Sequence, residues 1–356
     1  MVEKRSVMFM LRRIKFKTLL IMLACLLVMF IWYIQRSPRE RRRVSFRKMR
    51  IRQPGDEIPP MKFQTPSPKE RKNMYAKALR KLPRPLGLHP DVALVPSLPP
   101  PDFKLPLRDC VVLPHQPRKN VTICIYKIKD DVWVSGNLKV EKLWEETLVL
   151  EMDQALKSNP DLMLVDLGAN LGEYTLWAAA LGHRALAVEM VLENVRMLQT
   201  SLMLSGLSQL VTIVNNALYS DHRTLQVNFM KNNMGGSRLN TSKVFEDLDL
   251  THGVVLTKTI CMDDLVPLIT DRPVYLKIDI ENTEHEALKC ASQFFSKVNV
   301  EVVQMEWFLR SQAEMDNITS FMSHLGFHMS ESATRLIKPV DIETDVFFVR
   351  KPARDV

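Results

Sequence analysis

The chain contains no Cys-x-x-Cys pair and no His-Glu-x-x-His segment, so neither common zinc signature is present and no metal site is expected. Internal repeats are absent as well. Cysteine is sparse, with five in 356 residues. Cys25 falls in an apolar run, which leaves an even four: Cys110, Cys124, Cys261 and Cys290. That number suits an oxidising compartment and allows three pairings. The globular part also lacks a basic excess. Residues 1–107 carry 24 Lys and Arg against 7 Asp and Glu, whereas residues 108–356 carry 25 against 33. The net charge of +9 is therefore a property of the tail. A mildly acidic domain argues against a nucleic-acid groove.

What the tail does contain is a membrane signal. "TLLIMLACLLVMFIWYIQ", Thr18 to Gln35, is free of charge and close to the ~20 residues a helix needs to span a bilayer. Trp32 and Tyr33 stand at one end, where aromatic rings favour the interface. Phe30 to Tyr33 are all bulky, unlike the small residues that precede a signal-peptidase cut. The expectation is a short basic cytoplasmic tail (1–17) and an uncut transmembrane signal-anchor (18–35). Six basic residues precede the span and eight lie between Arg36 and Arg50, so the positive-inside count does not choose a side. The four cysteines and three sequons, at Asn120, Asn240 and Asn317, lean towards a luminal domain on a single-pass Golgi or endoplasmic reticulum protein. Residues 36–107 hold 14 of the 21 prolines and read as an extended, basic stem.

From residue 108 the pattern becomes that of a domain. "VTICIYKI" and "DVWVSG" read as strands and "EKLWEETLVLEMDQAL" as a helix. Strand-like "LMLVDLG", "ALAVE", "VTIVNNAL", "VYLKIDIE" and "NVEVVQMEW" then alternate with helical "EYTLWAAAL", "LENVRMLQTSLMLS" and "EHEALKCASQFF". A less regular segment over 220–260 reads as a β insertion. Short apolar runs alternating with amphipathic helices indicate an α/β fold, a mainly parallel sheet with helices on both faces. Its ligands belong at the carboxyl ends of the strands.

The loop "LVDLGANLGEY" lies at such an end. A dinucleotide fingerprint would require Gly-x-Gly-x-x-Gly, but Glu173 occupies the third glycine position. Instead Asp166 is followed by Gly168, Asn170 and Gly172. Glu189 closes the next strand, 23 residues after Asp166, where a carboxylate can accept both ribose hydroxyls. A nucleoside without a pyrophosphate, carrying positive charge, fits this set, and S-adenosyl-L-methionine is such a molecule. Asn216, at the end of the third parallel strand, is a candidate adenine contact.

With these motifs the chain resembles the FkbM family of S-adenosylmethionine-dependent methyltransferases. "VDLGANLGEYTL", "AVE", "NNMGGSRL", "TICMDDL", "LKIDIENTEHEAL", "VEVVQMEW" and "TDVFFV" follow the family's order across roughly 160–350. Met190 stands in place of the usual proline, and Asn282 in place of the glycine of Glu-Gly-x-Glu. The resemblance implies a Rossmann-like class I methyltransferase over 108–356 that methylates a hydroxyl. A stemmed luminal anchor makes that hydroxyl part of a glycan. In "KIDIENTE", Asp279 is the first candidate for the base, with Lys277 either neutral enough to help or paired with a carboxylate to hold it in place, and Glu281 as the next carboxylate. Thr283 and Glu286 have the spacing of a capping box, with Glu284 in the first turn. Two other readings use different residues. Asp247-Leu248-Asp249 has the spacing of a metal-bound sugar-nucleotide site in an anchored glycosyltransferase, and Asn282 would suit a catalytically degenerate scaffold.

A luminal domain carries a direct expectation. Glycosidase treatment shifts the full-length protein on a gel, and protease added to intact microsomes leaves residues 108–356 whole. Digestion of the domain outside the vesicles would place it in the cytosol.

Overall fold

The computed structural model describes residues 84–350, apart from 97, 101, 105–108, 119, 246–254, 270, 308–310, 331 and 334–344. The basic tail, the apolar span at 18–35, most of the stem and Asp247-Leu248-Asp249 lie outside these. No helix among the described residues is long and apolar enough to cross a membrane.

In chain order, β1 (Leu94–Val95), β2 (Cys110–Val112) and β3 (Thr122–Cys124) precede α1 (Val134–Lys139) and α2 (Glu146–Ser158). Strand and helix then alternate through β4 (Met163–Leu167), α3 (Glu173–Leu181), β5 (Ala185–Val188), α4 (Leu192–Ser205) and β6 (Val211–Val214). The insertion is β, as expected: β7 (Ala217–Leu218), β8 (Thr224–Met230), β9 (Asn233–Phe245) and β10 (Leu256–Ile260). A 3-10 segment, Met262–Leu268, leads into β11 (Val274–Ile278), α5 (Glu284–Leu288), α6 (Ser292–Lys297) and β12 (Val300–Glu306). The chain closes with α7 (Gln312–His324), β13 (Phe327–Ser330) and β14 (Asp345–Arg350).

The main sheet has the order β1-β6-β5-β4-β11-β12-β14-β13. Strands β6, β5, β4, β11 and β12 are parallel, while β1 and β14 run against their neighbours. Leaving out β1, the spatial order by chain position is 3-2-1-4-5-7-6. Its first five strands follow the doubly wound order, which reverses between β4 and β11. The parallel strands are buried throughout or nearly so, and their residues alternate between two cores. Leu164, Tyr275 and Val302 face α2, α3 and α4. Val165, Leu276 and Val303 face α5, α6 and α7. Gly182 and Gly206 end α3 and α4 in left-handed conformations, the stops that the sequence indicates.

Four expectations change. "DVWVSG" is not a strand: Asp131 Oδ2 accepts from the Ser135 backbone N–H at 2.8 Å and from its hydroxyl at 2.6 Å, which bends the chain into α1. The segment "EHEALKCASQFF" splits into α5 and α6. Between them Cys290 is joined to Cys261, and the Asp263 carboxylate accepts from the Phe294 N–H at 2.7 Å. The Thr283–Glu286 capping box does not form. Thr283 instead donates to the Ile280 carbonyl at 3.0 Å, and Glu286 accepts from Ser220 at 2.9 Å and pairs with Lys289. Of the three possible cysteine pairings, the structure has Cys110–Cys124 and Cys261–Cys290.

The fourth change concerns the stem, whose end was expected at 107. The chain is already folded onto the domain from residue 84. β1 pairs with β6, and Val92 and Leu98 are buried. The Gln199 side chain donates to the carbonyls of Pro96 at 2.5 Å and Leu98 at 3.0 Å. Asn216 fastens this strap most firmly. Its Oδ1 accepts from the Ala93 N–H at 2.7 Å, and its Nδ2 donates to the carbonyls of Asp91 and Lys258, each at 3.1 Å. Proline-rich backbone that cannot pair as a long strand is satisfied by domain side chains. Asn216→Ala leaves three partly buried backbone groups short of a partner. It should lower stability by about 1–3 kcal/mol, read as a shift of the urea midpoint at unchanged slope.

Candidate active site

Asp166 and Lys277 are partners in the β4–β11 register, and Gln304 is the partner of Lys277 on β12. Their side chains therefore share one face of the sheet, at the point where the strand order reverses. Lys277 is 3% exposed. Its Nζ donates to Asp279 Oδ2 at 2.8 Å and lies 4.6 Å from the centre of the Tyr174 ring. Burial alone would lower its pKa. The carboxylates of Asp279, Glu145, Asp166 and Asp345 outweigh that and hold it well above the ordinary lysine range. Burial raises Glu145 to about 7, Glu173 to about 8 and Asp345 to about 6, although Lys277 pulls each of them back. Polar side chains complete the cluster. Tyr174 donates to Glu145 at 2.9 Å, and Gln304 bridges to the Tyr174 oxygen at 3.2 Å and to Asp345 at 3.0 Å.

The glycine loop turns sharply and is approached closely, though by protein. Gly168 has φ +87°, and a Cβ there would run into the carbonyl of Asp279. It thus lets the ends of β4 and β11 meet while forming part of a cavity wall. Gly172 does not line the cavity; its missing side chain makes room for Leu198 of α4. Asn170, at φ 48°, donates its backbone N–H to Glu189 Oε2 at 2.8 Å, and the Val191 N–H donates to Oε1 at 2.7 Å. Each Glu189 oxygen retains capacity for another donor. Burial raises the Glu189 pKa to about 7. Asp166 accepts from Thr175 through Oδ2 at 2.6 Å, while its buried Oδ1 has no hydrogen-bond partner among the described residues. Asn216 reaches the cavity wall, but its amide is committed to the strap, so the adenine-contact role finds no support in its bonding.

These residues bound a cavity of about 500 Å³, a common size for a small-molecule site. Asp166, Gly168, Asn170 and Glu189 lie on its wall together with Lys277, Asp279 and Glu281. The sequence reading therefore identifies the floor. Within "NNMGGSRL", Asn233, Gly235 and Ser237 read as a possible fold over the substrate, and they form one part of the cover; the other part was missed. The β8–β9 hairpin contributes Asn233 to Leu239, and the segment leading to α2 contributes Trp133, Val134, Trp144 and Glu145. The two covers are joined by a hydrogen bond of 2.9 Å from Val132 to the Asn232 carbonyl. The tryptophans, so close in sequence, were the available signal for the second cover.

Glu281 and Asn282 follow Asp279 with φ 58° and 71°. The left-handed region is where the family glycine would sit, and Asn enters it more readily than most residues. Asn282 thus preserves the backbone path. Burial, with repulsion from Asp279, raises Glu281 to about 7, and Arg238 stands 3.4 Å from its carboxylate. Asp279, Glu284 and Glu306 each bring a carboxylate oxygen within 4.8 Å of the others, as do the donor atoms of His89, His222 and Asp264 farther away. In the first group the Lys277 ammonium already supplies a cation.

The fold and site define a Rossmann-like methyltransferase. Residues 166–329, a little under half of the chain, match the family model of the methyltransferase FkbM domain. Similar solved structures include an S-adenosylmethionine-dependent O-methyltransferase from Thermotoga maritima. It is 14% identical, with a TM-score of 0.32, covering 66% of this chain and 75% of that one. Another is the magnesium protoporphyrin IX methyltransferase of Synechocystis PCC 6803 with bound S-adenosylhomocysteine. It is 12% identical, with a TM-score of 0.34, covering 62% of this chain and 88% of that one. No curated protein matches the chain significantly. The methyl donor expected for such a domain is S-adenosylmethionine. The residues present fit it, since the buried Asp166 oxygen suits a cation or N–H donor and Glu189 suits hydroxyls.

Lys277→Met tests the electrostatic cluster. Removing one partner of a buried ion pair destabilises by about 3–5 kcal/mol. A carboxyl whose folded pKa is raised binds more protons when folded, so stability falls as pH climbs from its unfolded value through the folded one. The variant should therefore lose most at pH 8 and recover part of its thermal midpoint at pH 5. An equal loss at both pH values would show that Lys277 contributes by packing alone.

Proposed function

We propose that the domain transfers a methyl group from S-adenosylmethionine to a hydroxyl of a glycan or glycoconjugate in the secretory pathway. The observation that carries this reading is a single cavity that holds both the Asp166–Glu189 loop and the Lys277–Asp279 pair. Bound at the loop end, the cofactor supplies an electrophilic methyl group. Asp166 and Glu189 serve to hold it, and Asp279 takes the proton from the acceptor hydroxyl. Lys277 fixes Asp279 through Oδ2 at 2.8 Å, so the carboxylate loses no rotational freedom at the moment of reaction. Glu281, raised to about 7, is poised near neutral pH and is the second carboxylate able to accept that proton.

The cellular setting rests on separate support. Both cysteine pairs are joined, as an oxidising lumen would favour. Asn120 of the first sequon is exposed in the turn between β2 and β3. The apolar 18–35 segment supplies the proposed anchor.

Methyl transfer and cofactor affinity should be measured on the same variant. Asp279→Asn keeps the side-chain size and should cost 10²–10⁴-fold in turnover, with S-adenosylmethionine affinity changed little. Near-normal turnover would transfer the role to Glu281, whose Gln variant then shows the loss and removes a pH–rate limb near 7. Absence of S-adenosylmethionine binding by the wild-type chain in calorimetry would overturn the assignment.

A further inference from the structure

Four tryptophans lie among the described residues. Trp177 and Trp307 are buried, whereas Trp133 and Trp144 are 53% and 39% exposed. The exposed two both line the cavity, with ring centres 5.7 Å apart and planes inclined at 62°. Neither ring fills a core. Their backbones are nevertheless held firmly. The Trp133 carbonyl accepts from the Asn137 N–H at 3.1 Å and from its side-chain amide at 2.7 Å. The Trp144 N–H donates to Glu173 Oε1 at 3.2 Å. Two fixed, solvent-facing indoles at the edge of a cavity mark a place where a ligand lays down an apolar face.

The surroundings restrict the ligand further. Glu145, Glu173, Asp279 and Glu281 line the same cavity, and the two cations there are engaged: Lys277 with Asp279 at 2.8 Å and Arg238 with Glu281 at 3.4 Å. A sulfate, phosphate or uronate group would find no free cation among the lining residues and would meet the Asp279 carboxylate. A wholly apolar acceptor would desolvate the carboxylates without giving them donors. A molecule with a C–H face and a rim of hydroxyl donors satisfies both demands.

We infer that Trp133 and Trp144 form the acceptor subsite, and that the acceptor is an uncharged pyranose whose C–H face rests on the indoles while its hydroxyls donate to the neighbouring carboxylates. The inference rests on the hydroxyl-methylation reading above, and it narrows that reading to neutral sugars.

The test uses the purified full-length protein on an immobilised array of neutral oligosaccharides, each beside its sulfated and uronic-acid counterparts. Calorimetry with S-adenosylmethionine is run in parallel. Neutral glycans should be retained, and their charged counterparts bound at least about tenfold more weakly. Trp133→Ala and Trp144→Ala should each weaken neutral-glycan binding by about tenfold, the loss typical of a central aromatic anchor. S-adenosylmethionine affinity should stay within about twofold, which also certifies the fold. Trp144→Phe, which keeps a ring, should retain most of the glycan affinity. Binding confined to charged glycans, no glycan binding at all, or neutral-glycan binding indifferent to the alanine variants would each overturn the inference. Failure of the wild type to bind S-adenosylmethionine defeats the functional reading instead, and calorimetry registers it independently of the array.

Discussion

A buried ammonium tolerates its position only if negative charge converges on it from several directions. Lys277 meets this condition with carboxylates from four separate places: Asp166 on β4, Asp279 beyond β11, Glu145 ahead of α2, and Asp345 at the start of β14. No two of these are neighbours along the chain except through Lys277 itself. The sheet order, the packing of α2 and the return of β14 between β12 and β13 must all be in place before the charge is matched. Tyr174 and Gln304 then bond to members of the same set. The active-site floor and the centre of the fold are thus one electrostatic arrangement, and weakening either weakens the other.

Backbone strain is present at the same spot. Asn170, Glu281 and Asn282 all occupy the left-handed region, at a cost on the order of 1–3 kcal/mol each for residues other than glycine. Gly168 removes one such penalty and permits β4 and β11 to touch through the Asp279 carbonyl. The loop glycine therefore sets the distance between the two strand ends that carry the proposed donor and acceptor chemistry. Its influence on a ligand passes through Asp279.

Much of this was legible in the residues. Apolar runs such as "LMLVDLG" and "VYLKIDIE" had to be buried on both faces, and the α/β order followed from their spacing. Asp166, Glu189, Asp279 and Glu281 could be picked out because acids at strand ends have few structural reasons to be there, and Lys277 because it stands two residues before Asp279 in "KIDIENTE". The second part of the cover was not legible, because Trp133, Trp144 and Glu145 sit in a segment with no strong period, and only tertiary folding carries them to the cavity. The structural role of Asn216 was hidden for a related reason: an Asn near a cofactor strand looks like a ligand contact, and the strap that it holds becomes visible only in the fold. The strap itself, dominated by proline, gave no periodic signal from which docking could be inferred. The Cys261–Cys290 pairing was one of three possibilities that spacing alone left open.

That pairing has a topological outcome. Cys261 and Cys290 are 29 residues apart, and between them lie β11 and α5 with Lys277, Asp279, Glu281 and Glu284. The strand bearing the proposed chemistry is enclosed in a covalent ring. Closing a ring of that length removes unfolded-chain entropy worth roughly 3–4 kcal/mol in the loop-closure picture. Where thiols are kept reduced, the ring opens and this strand becomes an ordinary stretch of chain, held by noncovalent forces alone. The element that carries the proposed chemistry is thus best secured where cysteines stay oxidised.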